Sequence, residues 1–378
     1  MNKIIYLDNA STTKVDEEVL KTYERVSLSY FGNASSIHRL GIEANDLLEK
    51  ARAQILSLLK LEHTHDLIFT SGATEANNLV LKGYMHQYKN RGNHLIVSSI
   101  EHPSILEAAR SLEKEGFDVT YLPVNEQGIV DIDVLKNSIK KETILVSVMV
   151  ANNETGAIQP IEEIVSLLKE YPKIMFHTDA VQAIGKIDKS YNDVDMITLT
   201  SHKIHGLKGV GALIKRKSIT FDPILSGGGQ ESGLRSGTND VANCVSFAKA
   251  MRLTLAKLPC IKQHIQEMHD RLMEYFKANP DMYIINSFSD NPFVVNVSLK
   301  NKKAAVVVEG LSKEGIMISS ISACHSKVEA YSYVVYEMSK DETRSRNTLR
   351  ISLDYNNTME EIEEFIHKVD SLVRGIRQ

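Results

Sequence analysis

Two charged residues that follow apolar stretches define the first candidate site. Asp179 comes directly after "KIMFHT" (173–178), and Lys203 follows "DMITLT" (195–200), 24 residues further along. A carboxylate at the end of a buried strand needs a charged or hydrogen-bonding partner, and a protonated pyridine nitrogen is one. A lysine whose pKa is lowered by its surroundings can form a Schiff base with an aldehyde. Because a lone lysine is more often a solvated surface residue, Lys203 indicates a Schiff-base site only if other residues suited to the same ligand are present.

Three further motifs contain residues suited to the same ligand. "SGAT" (71–74) lies before a predicted helix, where backbone N–H groups and the Thr74 hydroxyl are suited to a phosphate at the positive end of the helix dipole. An ordinary helix N-cap explains the same residues equally well. His102, in "SIEHPS", is suited to stacking on a pyridine ring and exchanging protons near neutral pH. Gln182, in "DAVQ", is able to donate to a phenolic oxygen. Alone, these two are better explained as a structural histidine and a helix-surface amide.

Taken together, these groups match the requirements of one cofactor. Pyridoxal 5'-phosphate needs a lysine for its aldehyde, a carboxylate for its pyridinium nitrogen and a cradle for its phosphate. The conjunction of all three is far rarer by chance than any one of them. The sequence therefore predicts a pyridoxal-phosphate site that contains Lys203, Asp179 and Thr74.

The elements that must position this site alternate along the chain. Residues 37–59 have apolar positions at helical spacing, and short apolar runs rich in β-branched residues follow at 66–70, 94–99, 143–150, 173–178, 195–200 and 209–214. Helical segments separate several of these runs, as right-handed crossovers between parallel strands require. Most of the runs end in polar residues, and ligands bind at the carboxyl ends of strands in open α/β sheets. We therefore expect a mixed α/β fold with a largely parallel sheet and one site.

Composition excludes several other classes of protein. The 378 residues are 43% hydrophobic and 24% charged with a net charge of -4, which gives no general attraction for nucleic acid. No run of 18 apolar residues and no secretory signal is present, so we expect a cytoplasmic protein that does not contact a membrane. Cys244, Cys260 and Cys324 are too widely spaced for a disulfide scaffold or a cysteine zinc site, and we expect no metal.

A series of sequence blocks carries a resemblance to a known family. They are "YLDNASTT", "FGNASSIH", "FTSGATEANN", "SIEHPSI", "VANNETGAIQPI", "HTDAVQAIGK", "LTSHKIHGLKGVGAL", "GGGQESGLRSGT", "SSISAC" and "LRISLDYNNT". In order and spacing they resemble the pyridoxal-phosphate-dependent cysteine desulfurases of the class V aminotransferase family. The resemblance runs from Tyr6 to Thr358. It implies a fold-type I transferase that converts L-cysteine to L-alanine.

The resemblance also implies roles for residues at matching positions. Lys203 would be the Schiff-base lysine, Asp179 the partner of the pyridinium nitrogen and His102 the ring-stacking acid/base. Gln182 would meet the phenolic oxygen. Arg350 would hold the substrate carboxylate, for which a guanidinium has the right fork geometry. Asn153 would lie on the substrate side. Thr238 would reach the phosphate of the neighbouring subunit in a homodimer. The residues that would contact the phosphate within the same subunit are Ala73, Thr74, Thr200, Ser201 and His202.

Cys324 matches the nucleophilic cysteine that the family carries on a mobile loop. Its thiolate would take the substrate's sulfur as a persulfide and pass it to an acceptor protein. This chain has Ile321 where the family's loop has a glycine, and a β-branched residue there restricts the backbone. His325 follows the cysteine, and its charge at mildly acid pH would favour the thiolate.

The acceptor is inferred from the resemblance alone. By the same resemblance, we expect this chain to lack the longer tail with which some relatives dock an iron–sulfur scaffold. Sulfur delivery to tRNA thiolation, thiamin or iron–sulfur pathways therefore stays open. Selenocysteine lyase, another class V lyase that does not use Cys324, and a non-catalytic binding partner are the alternative functions.

The expected organisation has two domains. Residues 15–255 would form a large domain with the parallel sheet and the cofactor. Residues 1–14 would join 256–378 in a smaller α+β domain that carries the cysteine loop.

Overall fold

The structure, a computed structural model, describes residues 4–300, 302–320 and 331–375. The first half of the chain contains the elements β1 (Ile5–Tyr6), α1 (Glu17–Ser29), α2 (Arg39–Leu58), β2 (His65–Thr70), α3 (Ala73–Asn78), a π-helical turn (Leu79–Tyr84), α4 (Met85–Gln87), β3 (His94–Ser98), α5 (Pro103–Lys114), β4 (Asp118–Leu122), α6 (Ile132–Ser138), β5 (Thr143–Ser147), α7 (Ile161–Leu168) and β6 (Met175–Asp179). The second half contains β7 (Met196–Thr200), a 3-10 turn (Ser201–Lys203), β8 (Gly211–Arg216), a 3-10 turn (Glu231–Gly233), α8 (Val241–Ala278), β9 (Tyr283–Ile285), β10 (Val294–Leu299), α9 (Ala304–Lys313), β11 (Ile316–Met317), α10 (Tyr333–Ser339), α11 (Glu342–Arg346), β12 (Thr348–Ser352) and α12 (Met359–Gly375).

A seven-stranded sheet forms the centre of the molecule. Its order is β2-β8-β7-β6-β5-β3-β4, and every neighbouring pair from β7 to β4 is parallel. Strand β8 runs antiparallel to both β7 and β2. Strands β3, β5 and β7 are buried along their whole length, which explains their nearly continuous apolar sequences. The predicted α/β architecture and its largely parallel sheet are confirmed.

Local sequence determines where several helices begin. In α5, His102 is the N-cap and Pro103 occupies the first turn, where its missing N–H costs nothing. Before α12, Thr358 and Glu361 exchange backbone-to-side-chain hydrogen bonds in a capping box. Helix α3 differs from expectation, because its N-cap is Gly72 and makes no side-chain hydrogen bond.

Two smaller sheets bring the chain ends to the central sheet. Strand β1 pairs in parallel with β11, and β12 pairs antiparallel with β10, which also pairs with β9. Isolated bridges then join Asp8 to Ser352 and Ser319 to Arg350. The Thr13 backbone N–H also donates to the His202 carbonyl oxygen at 2.9 Å, so the segment that follows β1 contacts both β12 and the turn that bears Lys203.

The apolar side chains form several cores; the larger ones each fall within one of the two predicted domains, whereas a small one joins Ile100 to Val334 and Met338. One core extends from Val26 to Met251 around the central sheet, and another combines Ile5 and Leu7 with residues from Ile265 to Val373. Helix α8 contributes to both, so the predicted division at residue 255 falls within a single helix. The two-domain organisation stays a prediction that the separate cores support.

Two negative findings apply to the described residues. No helix in them has the length and apolarity needed to cross a membrane. Within the same residues, no group of three or more histidine, cysteine or carboxylate side chains is arranged to hold a metal ion.

Candidate active site

Lys203 lies in the 3-10 turn that follows β7, with its ammonium group directed at the segment after β1. Its Nζ donates to the carbonyl oxygens of Ala10 at 2.5 Å and Ser11 at 2.6 Å. Burial, together with the nearby positive charges of Lys186 and Arg350, lowers the pKa of Lys203 to about 7. A large fraction of the amine is therefore neutral near pH 7, as nucleophilic attack on an aldehyde requires.

Asp179 ends β6 and is held by hydrogen bonds on both oxygens. Its Oδ2 accepts from Asn77 Nδ2 at 2.9 Å, and its Oδ1 accepts from the backbone N–H of Val181 at 3.0 Å. The side chain is almost fully buried. The carboxylate thus has a fixed orientation, as a partner for a cationic ring nitrogen should have.

Asn77 and Ser104 connect Asp179 to His102. Asn77 Nδ2 also donates to Ser104 Oγ at 2.9 Å, and that hydroxyl lies 2.8 Å from His102 Nδ1. Sequence reasoning missed both linking residues. Asn77 lies three residues, about one helical turn, after Thr74 in "SGATEAN". Helical periodicity puts the two side chains on the same face of the helix, and this is the sequence feature from which Asn77 could have been predicted.

The contacts of His102 determine its tautomer. Its Nδ1 accepts from the backbone N–H of Ser104 at 3.2 Å, so the neutral ring carries its proton on Nε2. Desolvation lowers the pKa of His102, and the charge of Lys203 lowers it further, whereas Asp179 acts in the opposite direction. A neutral ring near pH 7 can present a flat face to a cofactor and move a proton through Nε2.

The predicted phosphate contacts lie at the ends of β2 and β7. Ala73 and Thr74 occupy the first turn of α3, where no described side chain caps the helix. Ser201 Oγ is buried and has no hydrogen-bond partner among the described residues. The Thr200 hydroxyl instead donates to the Val210 carbonyl oxygen at 3.2 Å.

His202, the remaining predicted phosphate contact, packs on the other side of this turn. Its Nδ1 lies 3.2 Å from Thr12 Oγ1, and its carbonyl oxygen accepts from the Thr13 backbone at 2.9 Å. Burial lowers the pKa of His202 to about 4, so the ring is neutral near pH 7. Its described contacts tie the Lys203 turn to the segment after β1.

Arg350 and Asn153 form the predicted substrate side. Arg350 lies on β12 with only 7% of its surface exposed, and its Nη1 donates to the Asn153 carbonyl oxygen at 2.9 Å. Asn153 Oδ1 is buried without a partner among the described residues. The arrangement therefore holds a buried cation and an unused amide oxygen together.

Gln182 and Lys203 donate hydrogen bonds to the same carbonyl oxygen, that of Ala10. Its Nε2 donates to the Ala10 carbonyl oxygen at 2.9 Å, and its Oε1 accepts from Lys186 Nζ at 2.9 Å. Burial lowers the pKa of Lys186 to about 8. Sequence reasoning assigned no role to Lys186, although it lies one helical turn after Gln182.

Thr238, the last of the predicted cofactor contacts, makes no hydrogen bond to the others among the described residues. It is exposed, three residues beyond Arg235, whose guanidinium pairs with Glu75 of α3 at 2.8 Å. An exposed position is compatible with a contact to a neighbouring subunit.

The cysteines differ in their surroundings. Cys244 is buried in α8, and burial raises the pKa of its thiol, as a structural residue requires. Cys260, in contrast, is exposed on α8. Cys324 lies outside the described residues, as do Ile321 and His325.

The residues that flank the undescribed segment approach the site. Before it, Ser319 Oγ donates to Asp8 Oδ1 at 2.8 Å. After it, the Ser332 hydroxyl donates to the Glu154 carboxyl, and Tyr333 donates to the Glu101 carbonyl oxygen at 2.6 Å. Glu101 and Glu154 directly adjoin His102 and Asn153 in the sequence.

Comparison with known proteins establishes the family. The profile of "Aminotransferase class-V" matches residues 5–365. A "NifS/IcsS protein homolog" of Lactobacillus delbrueckii is 39% identical over 98% of this chain and 97% of its own, and a "Cysteine desulfurase IscS" of Clostridium botulinum is 38% identical over 100% and 96%. A solved "NIFS-LIKE PROTEIN" superposes with a TM-score of 0.92 at 34% identity over 99% of this chain and 100% of its own. The resemblance inferred from the motifs is confirmed, and the chain belongs to the class-V aminotransferase family.

Proposed function

We propose that the protein is a pyridoxal-phosphate-dependent cysteine desulfurase that converts L-cysteine to L-alanine and transfers the sulfur to Cys324. The observation that carries the proposal is that Lys203 and Asp179, at the carboxyl ends of β7 and β6, come together with Arg350 of β12. Lys203 and Arg350 both donate to Ser11, and the charges of Asp179 and Arg350 both act on the pKa of Lys203. A lysine with a pKa of about 7, an oriented buried carboxylate and a buried guanidinium together suit an amino-acid substrate and a pyridine aldehyde. Full-length relatives named cysteine desulfurase support the same activity.

The residues present fit the cofactor. Ser201 Oγ is a buried group without a described partner, and the uncapped first turn of α3 provides backbone N–H groups for the phosphate. Asp179 suits the ring nitrogen, His102 the ring face and Lys203 the aldehyde. These are the groups that would hold pyridoxal phosphate, with Gln182 toward the phenolic oxygen. When bound, the cofactor supplies an electron sink for bonds to the substrate's α carbon.

The protein's own groups then orient the substrate and move protons. Arg350 binds the substrate carboxylate, and Asn153 Oδ1 accepts a hydrogen bond on the same side. Neutral Lys203 accepts a proton from the substrate and later returns one to carbon. His102, protonated on Nε2 when neutral, is the second group that exchanges protons in the site.

The sulfur step balances without an external redox reagent. The Cys324 thiolate attacks the substrate sulfur, the Cβ–S bond breaks, and a proton takes the place of sulfur on Cβ. The sum is L-cysteine plus a protein thiol giving L-alanine plus a protein persulfide. The role of Cys324 rests on its position in the family motif, since the residue lies outside the described part of the chain.

The test is the release of L-alanine from L-cysteine by the purified protein loaded with pyridoxal phosphate, with dithiothreitol present to discharge the persulfide. We expect equal amounts of L-alanine and sulfide. Absence of alanine from a protein that carries bound cofactor would refute the proposal. Turnover of L-selenocysteine with no turnover of L-cysteine would instead establish selenocysteine lyase activity.

We further propose a homodimer in which Thr238 serves the neighbouring site. Mixing Lys203→Ala subunits with Thr238→Ala subunits should then create one site that has both native residues. Its activity should exceed that of the Thr238→Ala homodimer about tenfold, a typical effect of one charge-assisted hydrogen bond. Only monomers in sedimentation, or no gain on mixing under conditions of subunit exchange, would contradict this proposal.

The delivery of the sulfur is proposed only in general terms. The persulfide passes to an acceptor protein, so the surface need not bind nucleic acid directly, and the net charge of -4 agrees with that. The cytoplasmic location and the acceptor pathway stay predictions. A pull-down that recovers RNA but no protein partner would count against this mode of delivery.

A further inference from the structure

The guanidinium of Arg350 already contacts a carboxylate of its own chain. Nη2 donates to Asp8 Oδ1 at 2.8 Å and to Ser11 Oγ at 2.5 Å. Nη1 donates to the Asn153 carbonyl oxygen. Nε is buried and has no hydrogen-bond partner among the described residues. One of the two terminal nitrogens is therefore fully used, while Nε is unused.

This distribution of contacts matters because a carboxylate binds arginine through two adjacent nitrogens. The two possible forks are Nε with Nη2, and Nη1 with Nη2. Both include Nη2, whose two hydrogens point to Asp8 and Ser11. A substrate carboxylate therefore cannot take either fork of Arg350 unless at least one of these contacts is released or shared.

We infer that Asp8 is an internal carboxylate that competes with the substrate carboxylate for Arg350 and thereby sets the affinity for the amino acid. The inference rests on the proposed function, in which Arg350 binds the substrate. Without a paired anion the guanidinium would be a buried, uncompensated charge, which proteins avoid. Asp8 supplies that anion until the substrate brings its own.

Asp8 has other donors to satisfy it when it releases Arg350. Its Oδ1 also accepts from Ser11 Oγ at 2.9 Å and from Ser319 Oγ at 2.8 Å. Its side chain is 19% exposed, compared with 8% for Arg350, so water can reach it. Moving the Asp8 side chain therefore costs less free energy than moving Arg350, which stays in place on β12.

The test is the Asp8→Asn variant, in which the amide keeps an acceptor oxygen but loses the charge. We expect the dissociation constant of L-alanine, measured by calorimetry on the pyridoxal-phosphate-loaded protein, to fall about tenfold, as the exchange of a charged for a neutral hydrogen bond predicts. The KM for L-cysteine should fall by a similar factor. Affinity for cysteamine, which has no carboxylate, should stay within about twofold, because Asp8 competes only for the guanidinium.

Two further variants separate this inference from general effects. Asp118→Asn removes an exposed carboxylate paired with Lys140 and should leave L-alanine affinity unchanged. Ser319→Ala removes one alternative donor from Asp8 and should weaken L-alanine binding about threefold, the scale of one neutral hydrogen bond. This second variant keeps the inference testable even if Asp8→Asn does not fold.

The outcomes are distinguishable from failure of the proposed function. If the native protein desulfurates L-cysteine but folded Asp8→Asn binds L-alanine equally or more weakly, the competition is refuted and Asp8 merely orients Arg350. A parallel gain in cysteamine affinity would also refute it. If the native protein releases no alanine from L-cysteine, the proposed function fails, and the calorimetric comparison still decides the role of Asp8.

Discussion

Replacement of Lys203 by alanine should reduce alanine release from L-cysteine by roughly a thousandfold or more, since the variant loses its covalent attachment to the cofactor and its general acid/base. The visible absorbance of the protein-bound Schiff base should disappear, even where cofactor is still held by Asp179 and the phosphate contacts. Alanine release at saturating L-cysteine and an absorbance spectrum of the dialysed protein measure both effects.

The pH dependence of cofactor capture provides a second measurement on the same residue. Because burial lowers the pKa of Lys203 to about 7 from its usual 10.5, the reactive neutral amine forms as the pH rises through 7. The rate of Schiff-base formation by cofactor-free native protein should therefore rise through that range and level off above it. A rate that keeps rising to pH 10 would show that Lys203 has an ordinary pKa.

Lys208→Ala is the matched control for Lys203→Ala. Lys208 is exposed in the same loop, five residues further on, so its loss changes the net charge equally without touching the carbonyl groups of Ala10 and Ser11. Its activity and spectrum should match those of the native protein. Native activity in a folded Lys203→Ala variant would remove the basis of the proposed site.

Replacement of Cys324 by alanine should lower alanine release at least about a hundredfold, because the substrate sulfur then has no protein thiolate to attack it. The Schiff-base absorbance should be unchanged, since Lys203, Asp179 and the phosphate contacts remain. Mass spectrometry of the native protein after L-cysteine, without reductant, should show a 32-Da increase from one sulfur atom on the peptide that contains Cys324.

Cys260→Ala is the control for the loss of a thiol. Cys260 is exposed on α8, so its removal leaves no cavity and should change neither alanine release nor stability. A Cys324→Ala variant that still releases alanine at the native rate would exclude a nucleophilic role and indicate a lyase that expels sulfide directly. Persulfide on Cys260 alone would likewise contradict the assignment.

Much of the local structure was predictable because it depends on neighbouring residues. Helix α2 at Arg39–Leu58 matches the predicted 37–59 segment, and α12 begins directly after Thr358, where the sequence predicts a helix. The apolar runs before Asp179 and Lys203 are strands, as their β-branched residues indicate. Strand β4 (Asp118–Leu122) was missed because it is a mostly half-buried edge strand with a mixed polar sequence.

The identity of the chemical groups came from the sequence, but their partners came from the tertiary structure. Residue type and motif context selected Lys203, Asp179 and His102, and the family resemblance selected Arg350, because each role requires a particular functional group. Asn77 and Ser104 were not predicted, since a hydrogen bond between α3, α5 and β6 depends on how those elements pack.

The same division holds for Lys203 and Arg350. Sequence determined that an amine and a guanidinium would be present, together with the class of cofactor that they suit. Only the tertiary structure placed Lys203 against Ala10 and set its pKa, and only it brought Asp8 onto Arg350 across 342 residues of chain. Burial and charge depend on all neighbours in space, whereas a motif specifies only the neighbours along the chain.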